Sequence, residues 1–327
     1  MDGVPVWQHR ERNPPASGQR AARRRFQRVS PRPAVDVVVP FRGSAAQLDE
    51  LAARLGTLAL RDGDSVTIAD NRSGAAEAQR GAVRIIAASE RQTSYHARNR
   101  GADTNRAPWL VFVDTDVLAP PDLLDRYFAQ PPADETGVLA GAVLDETPPD
   151  EAGHRAVRYA YLKASMSQEI TLADARWAFA QTANAAVRRA AFAQVGGFEA
   201  AIRSGGDADL CFRLRAAGWA LERREQAAVV HHNRTTVARM LGQRTRHGAG
   251  AAWLSRRWPG ALPRRRWPGL VLWGMRRAVE GLAAAARGDR DEALLGLLDG
   301  PAVWAFELGR LIPNRPRPRL AAPGRRG

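Results

Sequence analysis

The sequence predicts an α/β fold built on a parallel-dominated sheet, and three observations carry that reading. From Val35 onward, short runs rich in β-branched residues alternate with stretches whose apolar residues recur at helical spacing, the order of βαβ units. Carboxylates and an amide (Asp70, Asn71, Asp114, Asp116) fall at the ends of those runs, where such sheets bind ligands. After Thr235 the strand-like runs stop, and helical spacing alone continues to Leu311.

The elements follow in order. "VDVVVP" is a buried strand ending at Pro40, and "AAQLDELAARLGTL" is an amphipathic helix. "SVTIADN" and "AVRIIAA" are the next strands, and "SYHARNRGADTN" the next helix. "WLVFVD" drives a strand into Asp114 and Asp116; two prolines and a new amphipathic segment follow, and then the strand "GVLAGAVLD". Residues 147–182 show no regular period. "TANAAVRRAAFAQVGGF" gives a strand and a helix stopped by Gly196 and Gly197, and "DADLCFRLRAAGW" a helix ended by Gly218. "AAVVHH" is a short strand closing on His231 and His232. The chain is then helical from Thr235 to about Leu254, and Trp267–Leu311 forms two helices with tryptophans and leucines opposite arginines. Residues 1–33 and 313–327, rich in Arg and Pro, are expected to be disordered. That leaves a main domain over 34–250 and a helical extension over 251–312.

Composition narrows the function. The 327 residues are 45% hydrophobic, enough for a large core. The single cysteine, Cys211, excludes an intrachain disulfide and sits at an apolar helical position, as a core thiol does. The net charge of +15 is almost all arginine, Lys163 being the only lysine, which matches codon use in a GC-rich genome. It attracts phosphates, nucleotide-sugars, nucleic acid or an anionic membrane. No signal peptide is visible, and the longest apolar run near the end, "WPGLVLWGM", is half the roughly 18 residues of a membrane span. The expectation is a cytoplasmic protein, soluble or peripheral at the inner face of the cell membrane.

Four motifs carry chemistry. Asp114 and Asp116, one residue apart beyond a strand end, can converge on a divalent cation and a sugar hydroxyl; the alternative is a helix cap or loop turn. Asp70 and Asn71 can bind a base edge or ribose, or form an Asx turn. In "GGDADL", Asp207 or Asp209 is a base or a cap at a helix N-terminus. His231 and His232 can add an imidazole to a Mn²⁺ site, or pack in the core.

Taken together from Val35 to Gly250, "VVVPFRG", "ADNRSG", "ARNRGAD", "FVDTDV", "NAAVRRAAFAQVGGFE" and "GGDADLCFRLRAAGW" resemble the family-2 glycosyltransferases. The segment beginning "HHNRTTVARM" is similar to bacterial members of the mycofactocin type. The resemblance implies the GT-A fold, a Rossmann-like mixed sheet flanked by helices, here with a C-terminal helical extension. It implies an inverting, metal-dependent hexosyltransferase using a nucleotide-diphospho-sugar, of which a UDP-sugar is the first expectation. The acceptor would be a lipid-linked, glycan, peptide or small-molecule hydroxyl, as in cell-envelope or natural-product glycosylation. Carried over by position, Pro40, Asp70, Asn71, Arg98 and Asp114 would contact the nucleotide-sugar. Asp116 and His231, or His232, would hold Mn²⁺ or Mg²⁺; Asp207 would be the general base; Asn184 and Asp209 would face the acceptor. The family often has Glu-Asp where this chain has Gly206-Asp207, so acceptor positioning departs from the pattern.

Other classes fit less well. A nucleotidyltransferase needs a Gly-rich, arginine-bearing loop after the first strand, and "PFRGSAAQ" is not one. A nucleic-acid binder would interleave basic residues with aromatics, whereas these arginines are dispersed, so no nucleic-acid partner is expected. A catalytically inactive nucleotide-sugar-binding module is the remaining alternative, and Gly206 is its motive.

Overall fold

The computed structural model describes residues 32–148 and 154–316. Strand β1 (Val35–Phe41) opens it, followed by α1 (Ala45–Leu55), β2 (Ser65–Asp70), β3 (Ala78–Arg80), β4 (Val83–Ala87), α2 (Ser94–Ala102), β5 (Trp109–Val113) and β6 (Val117–Leu118). Then come α3 (Leu123–Tyr127), β7 (Thr136–Asp145), α4 (Arg155–Leu162), α5 (Gln168–Leu172), β8 (Asn184–Arg188) and α6 (Arg189–Gln194). The chain ends with α7 (Gly206–Ala216), β9 (Ala220–His231), α8 (Val237–Arg257), α9 (Trp267–Ala286) and α10 (Arg290–Gly309).

Among the described residues, nine strands form one sheet in the order β3-β4-β2-β1-β5-β8-β7-β9-β6. The first half is the expected parallel unit: β4, β2, β1 and β5 run side by side in one direction. Beyond β5 the pairing changes, because β8 runs antiparallel to both β5 and β7. The sheet is therefore mixed, with parallel pairing confined to that half and to β7–β9. Val35, Val37, Val38 and Val39 are fully buried, as a central strand covered on both faces requires. Each such valine contributes roughly 1.5–3 kcal/mol over an exposed one. Ser44 and Gln47 close a capping box at the start of α1, so the chain turns off β1 into a helix without orphaned amides.

Three boundaries move from their sequence-based positions. Arg32, expected in the disordered arm, has a buried side chain ion-paired with Asp64 and Asp125, so it belongs to the folded unit. Asn314, expected in the tail, is buried and bonds the backbone of Arg203 and Ser204. Residues 1–31 and 317–327 of the predicted tails lie outside the described residues. The boundary drawn at residue 250 falls inside α8, and the last helices are not a separate unit. Gly248 of α8 meets the Phe306 carbonyl of α10, and Gly309 meets the Thr245 carbonyl, so any Cβ there forces the helices apart. Residues 147–182, read as irregular, contain two short helices, α4 and α5. β9 is also longer than "AAVVHH": its first seven residues are half-buried or exposed and rich in charge, which hides them from a hydrophobicity reading.

Candidate active site

The carboxyl ends of β1, β2 and β5 lie at one rim, fixed by the parallel register that sets Phe41 opposite Asp70 and Val38 opposite Phe112. β5 delivers Asp114 and Asp116 to that rim. Arg98, buried on α2, ion-pairs with Asp114 and stacks its guanidinium near the rings of Tyr95 and Phe198, at 5.6 and 5.8 Å. Two-residue β6 pairs antiparallel with β9, putting Val117 opposite His231. That pairing brings His231 Nε2 to 3.6 Å from Asp116 Oδ1, across more than a hundred residues of sequence. Arg234 Nη2 stands 3.2 Å from Asp116 Oδ2. His232 turns away, its Nδ1 2.7 Å from Glu146.

The third carboxylate comes from α7. Asp207 Oδ2 accepts the Thr182 amide hydrogen at 3.2 Å, whereas its Oδ1 is buried without a partner. Gly205 precedes the helix at φ +86°, a left-handed conformation that any side chain would strain. Gly206 follows for a different reason. A Cβ there would lie 2.6 Å from the ring of Tyr95, whose hydroxyl accepts the Gly206 N–H at 2.9 Å. The buried tyrosine thus fills the space where a glutamate would begin.

These groups perturb one another. Burial pushes the Asp114 carboxyl up; Arg98 opposes this, while Asp116 and Asp207 add to it. Burial acts on Asp116 in the same sense, but His231 and Arg234 outweigh it and hold Asp116 below the usual range. Burial would lower His231, yet Asp116, Asp114 and Asp145 raise it. Its Nδ1 is buried without a hydrogen-bond partner, while its Nε2 faces Asp116.

Asp114, Asp116, Asp207, His231 and Arg234 face a cavity of about 390 Å³, which Arg203 and Arg246 also line. An adjoining hollow of about 780 Å³ shares Arg203, Arg234, Gln243 and Arg246 with it and reaches Arg42. A third, of about 540 Å³, runs from Arg42 to Arg72, Ser73 and Gln92 at the ends of β1 and β2. The three make one trench: strand ends, then arginines, then carboxylates. Burial, then Arg234 and Arg203, lower Arg246, as expected for a guanidinium crowded by its own kind where an anion would sit. Among the described residues no three His, Cys, Asp or Glu side chains form a metal cage. Asp116 and His231 offer one carboxylate and one imidazole, a set that fits Mn²⁺ when diphosphate oxygens and water complete the shell, and fits all-oxygen Mg²⁺ less well.

A sequence model of the glycosyl transferase family group 2 matches residues 109–284, which span β5 to α9 and contain all three carboxylates. The chain belongs to that family. The chain is 26% identical over 235 residues to the pre-mycofactocin glycosyltransferase of Mycobacterium tuberculosis, covering 69% of this chain and 48% of that protein. It is 30% identical over 223 residues to the validoxylamine A glucosyltransferase of Streptomyces hygroscopicus, covering 57% and 52%. The chain thus spans about half the length of the curated relatives it matches. Among solved structures it resembles the mannosyltransferase PcManGT of Pyrobaculum calidifontis, determined with GDP-Man and Mn²⁺. The TM-score is 0.50 at 17% identity, over 86% of this chain and 74% of that one. The likeness is one of fold, and the fold is GT-A.

The residues expected at the site divide into two groups. Asp114, Asp116, Arg98, Asp207 and His231 converge on the cavity. The others do not reach it. Asp209, expected toward the acceptor, is fully buried on the opposite side of α7's first turn, with Arg213, Arg257 and Trp258 on its oxygens. Asn184 is likewise fully buried, bonding the Tyr127 hydroxyl and the carbonyls of Ala142 and Ala227. Asn71 spends its amide on the Ala88 and Arg91 carbonyls, and Asp70 is wrapped by Arg72, which lies over Phe41. A nucleotide arriving there meets Arg42, Arg72, Ser73 and Gln92 first. Pro40 stays within β1, off the lining of these hollows. Sequence reasoning missed Tyr95, Arg203, Arg246 and His247. For the last two the available signal was on α8, where Gln243, Arg246 and His247 fall at helical spacing beside the small-residue run 248–252.

Proposed function

We propose that the protein transfers a sugar, with inversion, from a nucleotide-diphospho-sugar to an acceptor hydroxyl. The observation that carries this is the unpartnered Asp207 Oδ1, which shares one cavity with the Asp116–His231 pair at the end of an arginine-lined trench. The nucleoside end of the donor lies at Arg72 and Gln92, and its diphosphate at Arg42, Arg203, Arg234 and Arg246. Arginine forks suit phosphate oxygens in geometry and charge. Asp114, held by Arg98, contacts ribose or sugar. Asp207 removes the acceptor proton as the oxygen attacks the anomeric carbon, and such a base supplies about 10²–10⁴-fold. Asp116 and His231 would hold Mn²⁺, which supplies charge neutralisation for the departing diphosphate. The basic trench and intact carboxylates support an active enzyme over an inactive binding module, since Tyr95 accounts sterically for Gly206. The first test is a thermal-shift panel of UDP, GDP and other nucleoside diphosphates with and without Mn²⁺, followed by hydrolysis of the matching nucleotide-sugar. A protein indifferent to every nucleotide would overturn the reading.

The same reading includes a membrane-facing side. α9 turns Leu270, Gly281 and Ala284 inward, while Leu272, Met275, Val279 and Leu282, on the opposite face, are each more than 60% exposed. Arg264, Arg265, Arg266, Arg276 and Arg287 are exposed along the same segment. No helix among the described residues is long and apolar enough to cross a membrane. An apolar face edged with arginine fits the interface of an anionic bilayer, here proposed to be the inner face of the cell membrane.

A further inference from the structure

A second cleft opens beside the active-site cavity. Its volume is about 830 Å³, and it shares Ser165 and Arg244 with that cavity, so the two communicate. Arg244, Arg265 and Arg266 bring three positive charges to its walls, beside the Lys163–Asp299 ion pair. Asp299 is buried and already engaged by Arg277, Lys163 and the Tyr159 hydroxyl, so it does not cancel the arginines at the mouth. Ile170, Leu270 and Trp273 supply an apolar wall, with Ile170 63% exposed. Ala164, at φ 44°, closes α4 with a Schellman cap, the Ser165 amide donating to the Ala160 carbonyl and the Ala164 amide to the Tyr161 carbonyl, and this turn sets Lys163 and Ser165 at the cleft.

We propose that this cleft is the acceptor subsite, and that the acceptor carries a phosphate or carboxylate joined to an apolar or aromatic body. The cations receive the anion, Ile170 and Trp273 receive the body, and the passage at Ser165 and Arg244 leads the acceptor hydroxyl toward Asp207. The assignment rests on the glycosyltransfer reading, and it deepens that reading by naming the class of acceptor.

Decyl phosphate is the probe, titrated calorimetrically into the full-length protein below its micellar concentration. Inorganic phosphate and decyl glucoside are run beside it. Decyl phosphate should bind at least tenfold more tightly than either, because only it presents both features. The Arg265→Ser/Arg266→Ser and Trp273→Ala variants should each weaken it about tenfold or more. Inorganic phosphate binding as well as decyl phosphate would reduce the cleft to a simple anion site. Equal binding of decyl glucoside would reduce it to an apolar groove, and unchanged affinity in both variants would place the ligand elsewhere; each result overturns the proposal. Nucleoside diphosphate with Mn²⁺ is titrated into the same samples. If the nucleotide binds normally while decyl phosphate shows no preference, the subsite fails alone; if the nucleotide does not bind, the donor reading fails with it. Decyl phosphate and a short soluble aryl phosphate, compared with and without anionic vesicles, separate a membrane-borne acceptor from a soluble one.

Discussion

Replacing Asp207 with asparagine tests the chemistry most directly. The amide keeps the shape of the carboxylate, and its oxygen can still accept the Thr182 amide hydrogen at the Oδ2 position. The Oδ1 position, buried and unpartnered in the cavity, becomes an NH₂ group that cannot take a proton. Loss of general-base help predicts a fall in kcat of about 10²–10⁴-fold, or roughly 3–5 kcal/mol. Stability should change little. The helix N-terminus loses a favourable charge worth about 0.3–1 kcal/mol, while Asp114 loses a like-charged neighbour. Donor affinity should hold within about twofold, since the arginine trench is untouched. The assay is transfer from the nucleotide-sugar preferred in the thermal-shift panel, with nucleotide affinity and thermal midpoint measured on the same sample. Asp209→Asn is the contrast. Its oxygens are closed in by two arginines and an indole, so breaking that buried set should cost about 3–5 kcal/mol of stability, while the folded fraction keeps its turnover. An Asp207→Asn protein that transfers within threefold of the parent refutes the assignment of the base.

Asp116→Ala should abolish the Mn²⁺-dependent part of nucleoside-diphosphate stabilisation, worth about 2.7 kcal/mol at a hundredfold excess over Kd; a retained Mn²⁺ effect in denaturant unfolding would remove Asp116 from the metal. Gly206→Ala should destabilise by about 1–3 kcal/mol through collision with the Tyr95 ring, and in a double-mutant cycle Tyr95→Ala should relieve part of that cost; strict additivity would deny the contact. Burial, then Arg246, Arg244 and Arg234, push His247 down to about 3, from an ordinary value of 6.5. The unfolded chain therefore binds this proton first, and stability should fall as pH drops from 6.5 toward 3, by no more than about 5 kcal/mol in all. His247→Gln should flatten that part of the stability–pH curve; an unaltered slope would mean that another group sets it. Full-length protein should float with anionic vesicles, less so in high salt, and Leu272→Ser/Met275→Ser/Val279→Ser should not; equal flotation of the two would return α9 to ordinary solvent exposure.

The fold class was legible because burial on both faces of a parallel strand demands an unbroken apolar run, and "VDVVVP", "SVTIAD" and "WLVFV" show it in one dimension. The carboxylates at the ends of such runs could be located for the same reason: Asp114 and Asp116 follow β5 directly, and Asp207 opens a helix just after two glycines. Sequence pattern alone thus determined that this chain brings acidic groups to the rim of an α/β sheet. It could not tell Asp207 from Asp209, because both lie in one helical turn and only packing decides which carboxylate meets a cavity and which meets Arg213, Arg257 and Trp258. Nor could it choose between His231 and His232. That choice belongs to β6, two residues whose pairing with β9 turns one imidazole toward Asp116 and the next toward Glu146. Asn184 and Asn71 read as binding groups because an amide looks alike whether it faces a ligand or satisfies buried carbonyls; the tertiary structure spends both on carbonyls, where an unpaired backbone oxygen would be costly. The arginine trench and the Tyr95–Gly206 contact were invisible for a simpler physical reason. They join residues up to about two hundred positions apart, such as Arg42 with Arg246 and Tyr95 with Gly206, and only closure of the sheet and its covering helices brings them within reach.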